Sequence, residues 1–325
     1  MSDRCMAISK FIDSTQWGDW SRAAIAQDAS SRSYMRLSHG DQSVILMDAP
    51  PSTGEDVGPF VRISELLQGM GLAAPKILKQ DQDNGFLILE DLGTADVAKT
   101  TDAVPETAQD IYRAAADVLI HIANQPAPKL HKMDAETAGN MVRIAAEHYV
   151  RSPTLADDLQ HAVTDMVQSH CGPADTLALR DYHAENLIWR PKETGLQRIG
   201  LLDFQDAFIA PSGYDLASLL RDARRDIDPE LAASIISHVA QNSQVPAAHW
   251  SMHVRCLALQ RNLRILGVFG RLIHVHGKTR YAGMLPRVYR YIAEDLDHPA
   301  LGHLRRLVSD GLPVPSALKF PEATS

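Results

Sequence analysis

Apolar and polar side chains fall in short runs over the first ninety residues. Tyr34–His39 and Ser43–Met47 are two such runs, and Gly40-Asp41 between them supplies the turn chemistry of a hairpin. Phe60, Ile63, Leu67 and Met70 then recur at helical spacing, with Gly69 and Gly71 as a stop and Pro75 beyond. Lys76–Gln80 and Phe86–Glu90 flank Asn84-Gly85, a second hairpin signal. Hairpin, helix, hairpin predicts a small antiparallel sheet carrying one helix.

After Gly93 the period changes. Ile111–Ala123, Gly139–Val150 and Leu155–His170 are Ala-rich and helical in spacing. A strand-bearing island follows: Thr176–Leu179, Leu187–Trp189 and Ile199–Leu202, with a turn at Arg190–Gly195. From Tyr214 to Tyr291 the pattern is again mostly helical. The expectation is an α+β chain of two lobes, a small N-terminal antiparallel β lobe with one helix (1–92) and a larger, mainly α-helical C-terminal lobe (93–325), joined at about 89–93.

Composition narrows the partners. The chain has 325 residues and a formal net charge of −8, from 40 acidic and 32 basic side chains. That balance argues against a broad nucleic-acid surface, which needs clustered Lys and Arg. Cys5, Cys171 and Cys256 form no C-x-x-C pair, which argues against a structural zinc site or a disulfide framework. The stretch Met1–Trp20 lacks the unbroken apolar core of a signal peptide, and no segment approaches the roughly 18 apolar residues of a membrane helix. A cytoplasmic protein that binds neither membrane nor nucleic acid is expected.

The chemistry is concentrated in Leu179-Arg180-Asp181-Tyr182-His183-Ala184-Glu185-Asn186-Leu187, where Asp-x4-Asn closes onto a hydrophobic strand. Asp203 ends a second strand seventeen residues after Asn186, in Leu201-Leu202-Asp203-Phe204. Two strands joined by a tight turn should bring Asn186 and Asp203 together. Their oxygens suit Mg2+, a hard cation that keeps substrate phosphates in its shell. Phosphoryl transfer needs an acceptor hydroxyl aligned with the γ-phosphate and positive charge on the phosphate oxygens. Asp181 is the candidate catalytic base for that hydroxyl proton. His183 either orients the loop through hydrogen bonds or is an ordinary satisfied histidine. Asp206 either reaches metal or substrate or caps the following turn.

These residues carry a resemblance. Leu-Arg-Asp-Tyr-His-Ala-Glu-Asn-Leu with Leu-Leu-Asp-Phe-Gln-Asp resembles the aminoglycoside/choline phosphotransferase family, whose members have a protein-kinase-like fold and phosphorylate small hydroxylated molecules. Pro211–Asp222 resembles the helix after that family's metal aspartate, and Leu89-Glu90-Asp91-Leu92-Gly93 its inter-lobe hinge. The resemblance implies ATP as cosubstrate, with adenine bonded by backbone groups of Glu90 and Leu92. Ser43–Pro51, Asp203–Ala207 and Leu259–Leu272 resemble one branch more closely, the bacterial anomeric kinases of N-acetylmuramate and N-acetylglucosamine, which serve peptidoglycan recycling.

Two departures matter. A Gly-rich phosphate loop is absent, and its place is taken by Asp28–Tyr34, where Ser31 and Arg32 are the candidate phosphate-binding residues, a surface role fitting Arg32 equally well. The third strand offers Met47 and Asp48 where a Lys is expected, so charge on the nucleotide falls to Arg32, Arg36 or magnesium. The basic stretch Arg271–Tyr281 is either a solvated loop or part of an acceptor pocket, in which Arg271 would meet a carboxylate. Alternatives are an aminoglycoside, choline or homoserine type of acceptor, and, in a different class, a nucleotide-binding module without catalysis.

Overall fold

The computed structural model describes residues 3–25, 32–243 and 247–318, with the side chains of 247 and 248 left aside. Ser31 lies outside the described residues. Cα packing divides the chain into two compact units, Met1–Thr107 with Glu185–Asp206, and Ala108–Ala184 with Ala207–Ser325. The expected hinge at 89–93 falls within the first unit.

The first unit begins with helix α1 (Asp3–Asp13) and strands β1 (Ser21–Ile25), β2 (Ser33–His39) and β3 (Gln42–Asp48). Helix α2 (Gly58–Gly69), strands β4 (Ile77–Asp81) and β5 (Phe86–Glu90) and helix α3 (Val97–Ala103) follow. The five strands form one antiparallel sheet in the order β1-β2-β3-β5-β4, with Leu46 opposite Ile88 and Val44 opposite Glu90. Side chains alternate across a sheet. One face, Leu37, Val44, Leu46, Phe86 and Ile88, packs on Phe11 and Ile12 of α1. Met47, Leu87 and Leu89 belong to the opposite face and are buried as well, so the sheet is covered on both sides. The hairpins and α2 stand where the residue pattern puts them. Helix α1, strand β1 and helix α3 are additions to that reading, because each is short and Ala- or polar-rich, with too weak a period to call.

The second unit is mainly helical. It contains α4 (Ala108–Ala123), α5 (Ala135–Ile144) running into a π-helical turn at Ala145–Val150, α6 (Pro153–His170) and strand β6 (Ala174–Ala178). The chain then returns to the first unit for a further hairpin, β7 (Leu187–Trp189) paired antiparallel with β8 (Ile199–Leu201). That hairpin is fastened there by backbone bonds from Leu201 to Ala73 (2.8 Å) and from Trp189 to Ala95 (2.7 Å). Back in the second unit, β9 (Phe208–Pro211) pairs with β6. Helices α7 (Tyr214–Leu220), α8 (Pro229–Gln241), α9 (Ala247–His274), α10 (Leu285–Leu296) and α11 (Gly302–Gly311) complete it.

Helix α9 is the long core element of this unit, and two glycines set how near it lies to α5. A Cβ at Gly267 would collide with the backbone of Ile144 and Ala145, and one at Gly270 would stand 2.7 Å from the His148 carbonyl. Only glycine allows that approach. Among the described residues no helix is long and apolar enough to cross a membrane.

Candidate active site

In the first unit, the β7–β8 hairpin decides where the oxygen ligands stand. Leu187 pairs with Leu201, so Asn186, just before that pair, and Asp203, two residues after it, emerge near one another. The Leu202 N–H donates to the Asn186 carbonyl at 3.0 Å, and Asn186 Nδ2 lies 3.4 Å from Asp203 Oδ2. Gln205 Nε2 donates to Asp203 Oδ1 at 2.8 Å and steadies the carboxylate. Phe204 is fully buried and stacks on Phe60 of α2 with ring centroids 4.9 Å apart, which anchors the backbone beside it. Asp203 itself has φ 56°, a left-handed conformation that non-glycine residues adopt at a cost and that clusters at functional sites. Asp206, the last residue of the unit, is exposed.

The same unit carries the hinge residues and Arg32. The Glu90 N–H donates to Lys76 O at 2.8 Å, and its carboxylate faces Arg190 at 3.8 Å. Asp91 knots the segment after β5: it accepts from Arg36 Nε (2.6 Å), Ser43 Oγ (2.8 Å) and the Gly93 N–H (2.9 Å). Burial works against its charge, but Arg36 and the two other donors outweigh burial and hold the carboxyl below its ordinary value. Arg36 is therefore committed to Asp91. Leu92 is buried, and among the described residues no carbonyl accepts its N–H. Arg32 Nε donates to Glu55 Oε2 at 2.8 Å. Burial opposes the Arg32 charge, yet Tyr34, Glu55 and Asp203 more than compensate. Glu55 lies in the loop before α2 rather than on the helix, so no pattern in the residues points to it as a partner.

In the second unit, the Asp181 loop is built from the backbone outward. Asp215 of α7 is buried, and its carboxylate accepts the N–H groups of Leu179 (2.5 Å) and Arg180 (3.0 Å). That pair holds Arg180 at φ 74°, again left-handed, immediately before Asp181. The Tyr182 hydroxyl donates to Ala115 O of α4 at 2.8 Å, pinning the loop to the helical core. The His183 N–H donates to the Asp181 carbonyl at 3.1 Å. Burial lowers the His183 pKa, and the charges of Arg224 and Arg261 lower it further, so the imidazole is neutral. Asp215 is pushed the other way, up to about 7, by burial. Its position inside the apolar run Tyr214–Leu220 is the one sequence signal that would have singled it out.

Arg271 stands exposed in the last turn of α9, two helical turns beyond Arg264. A cavity of about 320 Å³ in this unit is lined by Tyr214, Asp215 and Trp250 among others, without Asp181.

These arrangements were compared with known proteins. The profile of a phosphotransferase enzyme family matches residues 21–249. An N-acetylmuramate/N-acetylglucosamine kinase of Caulobacter vibrioides is 33% identical over 96% of this chain and 98% of its own. A second kinase of that description, from Pseudomonas aeruginosa, is 31% identical over 90% of each. Among solved structures, a choline kinase from Streptococcus pneumoniae superposes with a TM-score of 0.63 at 15% identity, covering 89% of this chain and all of that one. The fold is thus protein-kinase-like, with an antiparallel sheet in its N-terminal part and helices through most of the rest.

Proposed function

The chain belongs to the phosphotransferase enzyme family, and we propose that within it the protein moves the γ-phosphate of ATP onto the anomeric hydroxyl of N-acetylmuramate or N-acetylglucosamine. The observation that carries the chemistry is the 3.4 Å approach of Asn186 and Asp203, two oxygen-bearing side chains at the open end of one hairpin. The acceptor follows from relatives of that name aligned along almost the whole chain.

The donor set fits Mg2+. One carboxylate and one carboxamide are hard oxygen ligands, too few to close a shell, and leave room for phosphate and water. The carboxamide presents its oxygen after a half-turn about its last torsion. A bound Mg2+ supplies positive charge to the phosphate oxygens. Arg32 adds a second positive group beside Asp203, in place of the missing strand lysine, with Glu55 fixing its direction. Leu92, with its uncommitted N–H, is suited to adenine, together with the carbonyl of Glu90.

Asp181 performs the step on the acceptor side. The sugar hydroxyl oxygen attacks the γ-phosphorus while its proton passes to the Asp181 carboxylate. The bond from the γ-phosphorus to the bridging oxygen breaks, and ADP leaves. The Asp215 bonds keep the loop from relaxing, and neutral His183 adds no competing charge.

ADP release measured with N-acetylmuramate, N-acetylglucosamine, kanamycin, choline and homoserine tests the reading. Turnover with the two amino sugars, well above the other three, is expected. Absence of turnover with both amino sugars would refute the acceptor, and kanamycin far above them would transfer the chain to the antibiotic branch.

A further inference from the structure

Positions three apart on a helix share a face, and α9 carries Arg261 and Arg264 in that relation. The face is turned toward the Asp181 loop. Arg261 Nη2 donates to the Arg180 carbonyl at 3.0 Å, and its guanidinium lies 5.3 Å from the centroid of the Tyr214 ring. Arg261 is only 7% exposed, and its Nε meets no acceptor among the described residues. Arg264, one turn on, is less deeply buried and forms no ion pair or side-chain hydrogen bond among the described residues.

The electrostatics agree with that geometry. Burial makes Arg264 a weaker proton holder than an ordinary arginine, and Arg180 and Arg261 add to the effect, against Tyr214 and Asp181. Arg180 and Arg261 therefore both bear on Arg264, and Asp181 is the carboxylate that acts against them there, while Asp215 accepts from the loop backbone. Such a cluster is relieved by an incoming anion. It is a poor host for a polycation.

We propose that Arg264, backed by Arg261, receives the carboxylate of the acceptor, namely the lactyl group that N-acetylmuramate carries and N-acetylglucosamine lacks. The assignment rests on the sugar-kinase reading above and adds the residue that tells its two substrates apart. The lactyl group hangs from the same pyranose ring whose C1 hydroxyl Asp181 serves, so its carboxylate falls one ring away from the reacting oxygen. Arg264 stands close enough to Asp181 for their charges to interact. Its fork of N–H donors matches a carboxylate in two parallel bonds, which a lysine cannot reproduce. Arg271 stands exposed at the end of the same helix.

The experiment compares kcat/KM for the two sugars in the unaltered protein, in Arg264→Gln and in Arg264→Lys. Arg264→Gln should lower kcat/KM for N-acetylmuramate about 30-fold, mostly through KM, against at most about threefold for N-acetylglucosamine. Arg264→Lys should fall between. The amide of N-acetylmuramate, offered to the unaltered protein, should lose a similar factor, and this arm does not depend on any variant folding. Equal losses on both sugars, or equal use of N-acetylmuramate and its amide, would overturn the assignment while leaving the sugar kinase intact. No turnover of either sugar by the unaltered protein would overturn both together.

Discussion

The tip of the β7–β8 hairpin and the Asp181 loop are made in opposite ways. Asn186 and Asp203 face solvent at the end of two paired strands, and their approach is a consequence of local register. Asp181 sits in a loop whose shape is imposed from a distance, by Asp215 on α7 and by Ala115 on α4. The first arrangement should tolerate change around it, because its two side chains are set by their own hairpin. The second depends on groups carried by other elements, the Asp215 carboxylate and the Ala115 carbonyl.

The largest test separates the two regions directly. Asp181→Asn should lower kcat about 10³-fold with ATP affinity within about twofold, because a base acts on the acceptor alone. Asp203→Ala should weaken Mg-ATP binding and turnover together. Calorimetric titration of both variants with Mg-ATP checks this, and equal affinity losses would erase the distinction.

Next comes the loop's support. Asp215→Ala strips the acceptor from one buried and one half-buried N–H group, so kcat should fall about 100-fold and stability by about 2–4 kcal/mol. Asp215→Asn has a subtler readout. The carboxyl is raised from an ordinary 3.8 to about 7, burial being the first cause. The folded chain then holds that proton more tightly than the unfolded chain. Its stabilising share is complete below about pH 4 and is lost as the pH climbs through about 7. Melting curves between pH 4 and 8 should therefore slope less in Asp215→Asn than in the parent. Parallel slopes would mean that Asp215 is ionised throughout.

A smaller effect belongs to the hairpin side. Arg32→Ala should raise the KM for ATP about tenfold while leaving the acceptor KM nearly unchanged. Glu55→Gln should reproduce part of that rise, since Glu55 only aims the guanidinium. Smallest of all, Tyr182→Phe removes one buried hydrogen bond to Ala115 and should cost about 1 kcal/mol in a urea titration.

The same contrast explains how much was readable in the residues alone. Asn186 and Asp203 could be paired from spacing, because a tight strand–turn–strand leaves few alternatives. The two hairpins of the first sheet and helix α2 were legible for the same reason, their periods being local. Asp215, Arg261 and Arg264 were not. Asp215 lies 34 positions after Asp181 and Arg264 a further 49; the apolar run around Asp215 marks it as buried without saying what it bonds, and nothing local distinguishes Arg261 or Arg264 from charged residues on a solvated face. The left-handed backbone at Arg180 and Asp203 was equally hidden, since neither is glycine. Arg36 offers the reverse lesson: its charge suggested phosphate, and tertiary structure gave it Asp91 instead.

The route of the chain has a consequence for how the protein can be made. Residues 185–206 belong to the same compact body as residues 1–107, sewn to it through Ala73 and Ala95. A gene cut after residue 107 therefore encodes five strands without their closing hairpin. During synthesis the amino-terminal body has to wait for 77 intervening residues to leave the ribosome before its last piece arrives. Grafting the segment 185–206 onto 1–107 through a short linker is the way to obtain that body by itself.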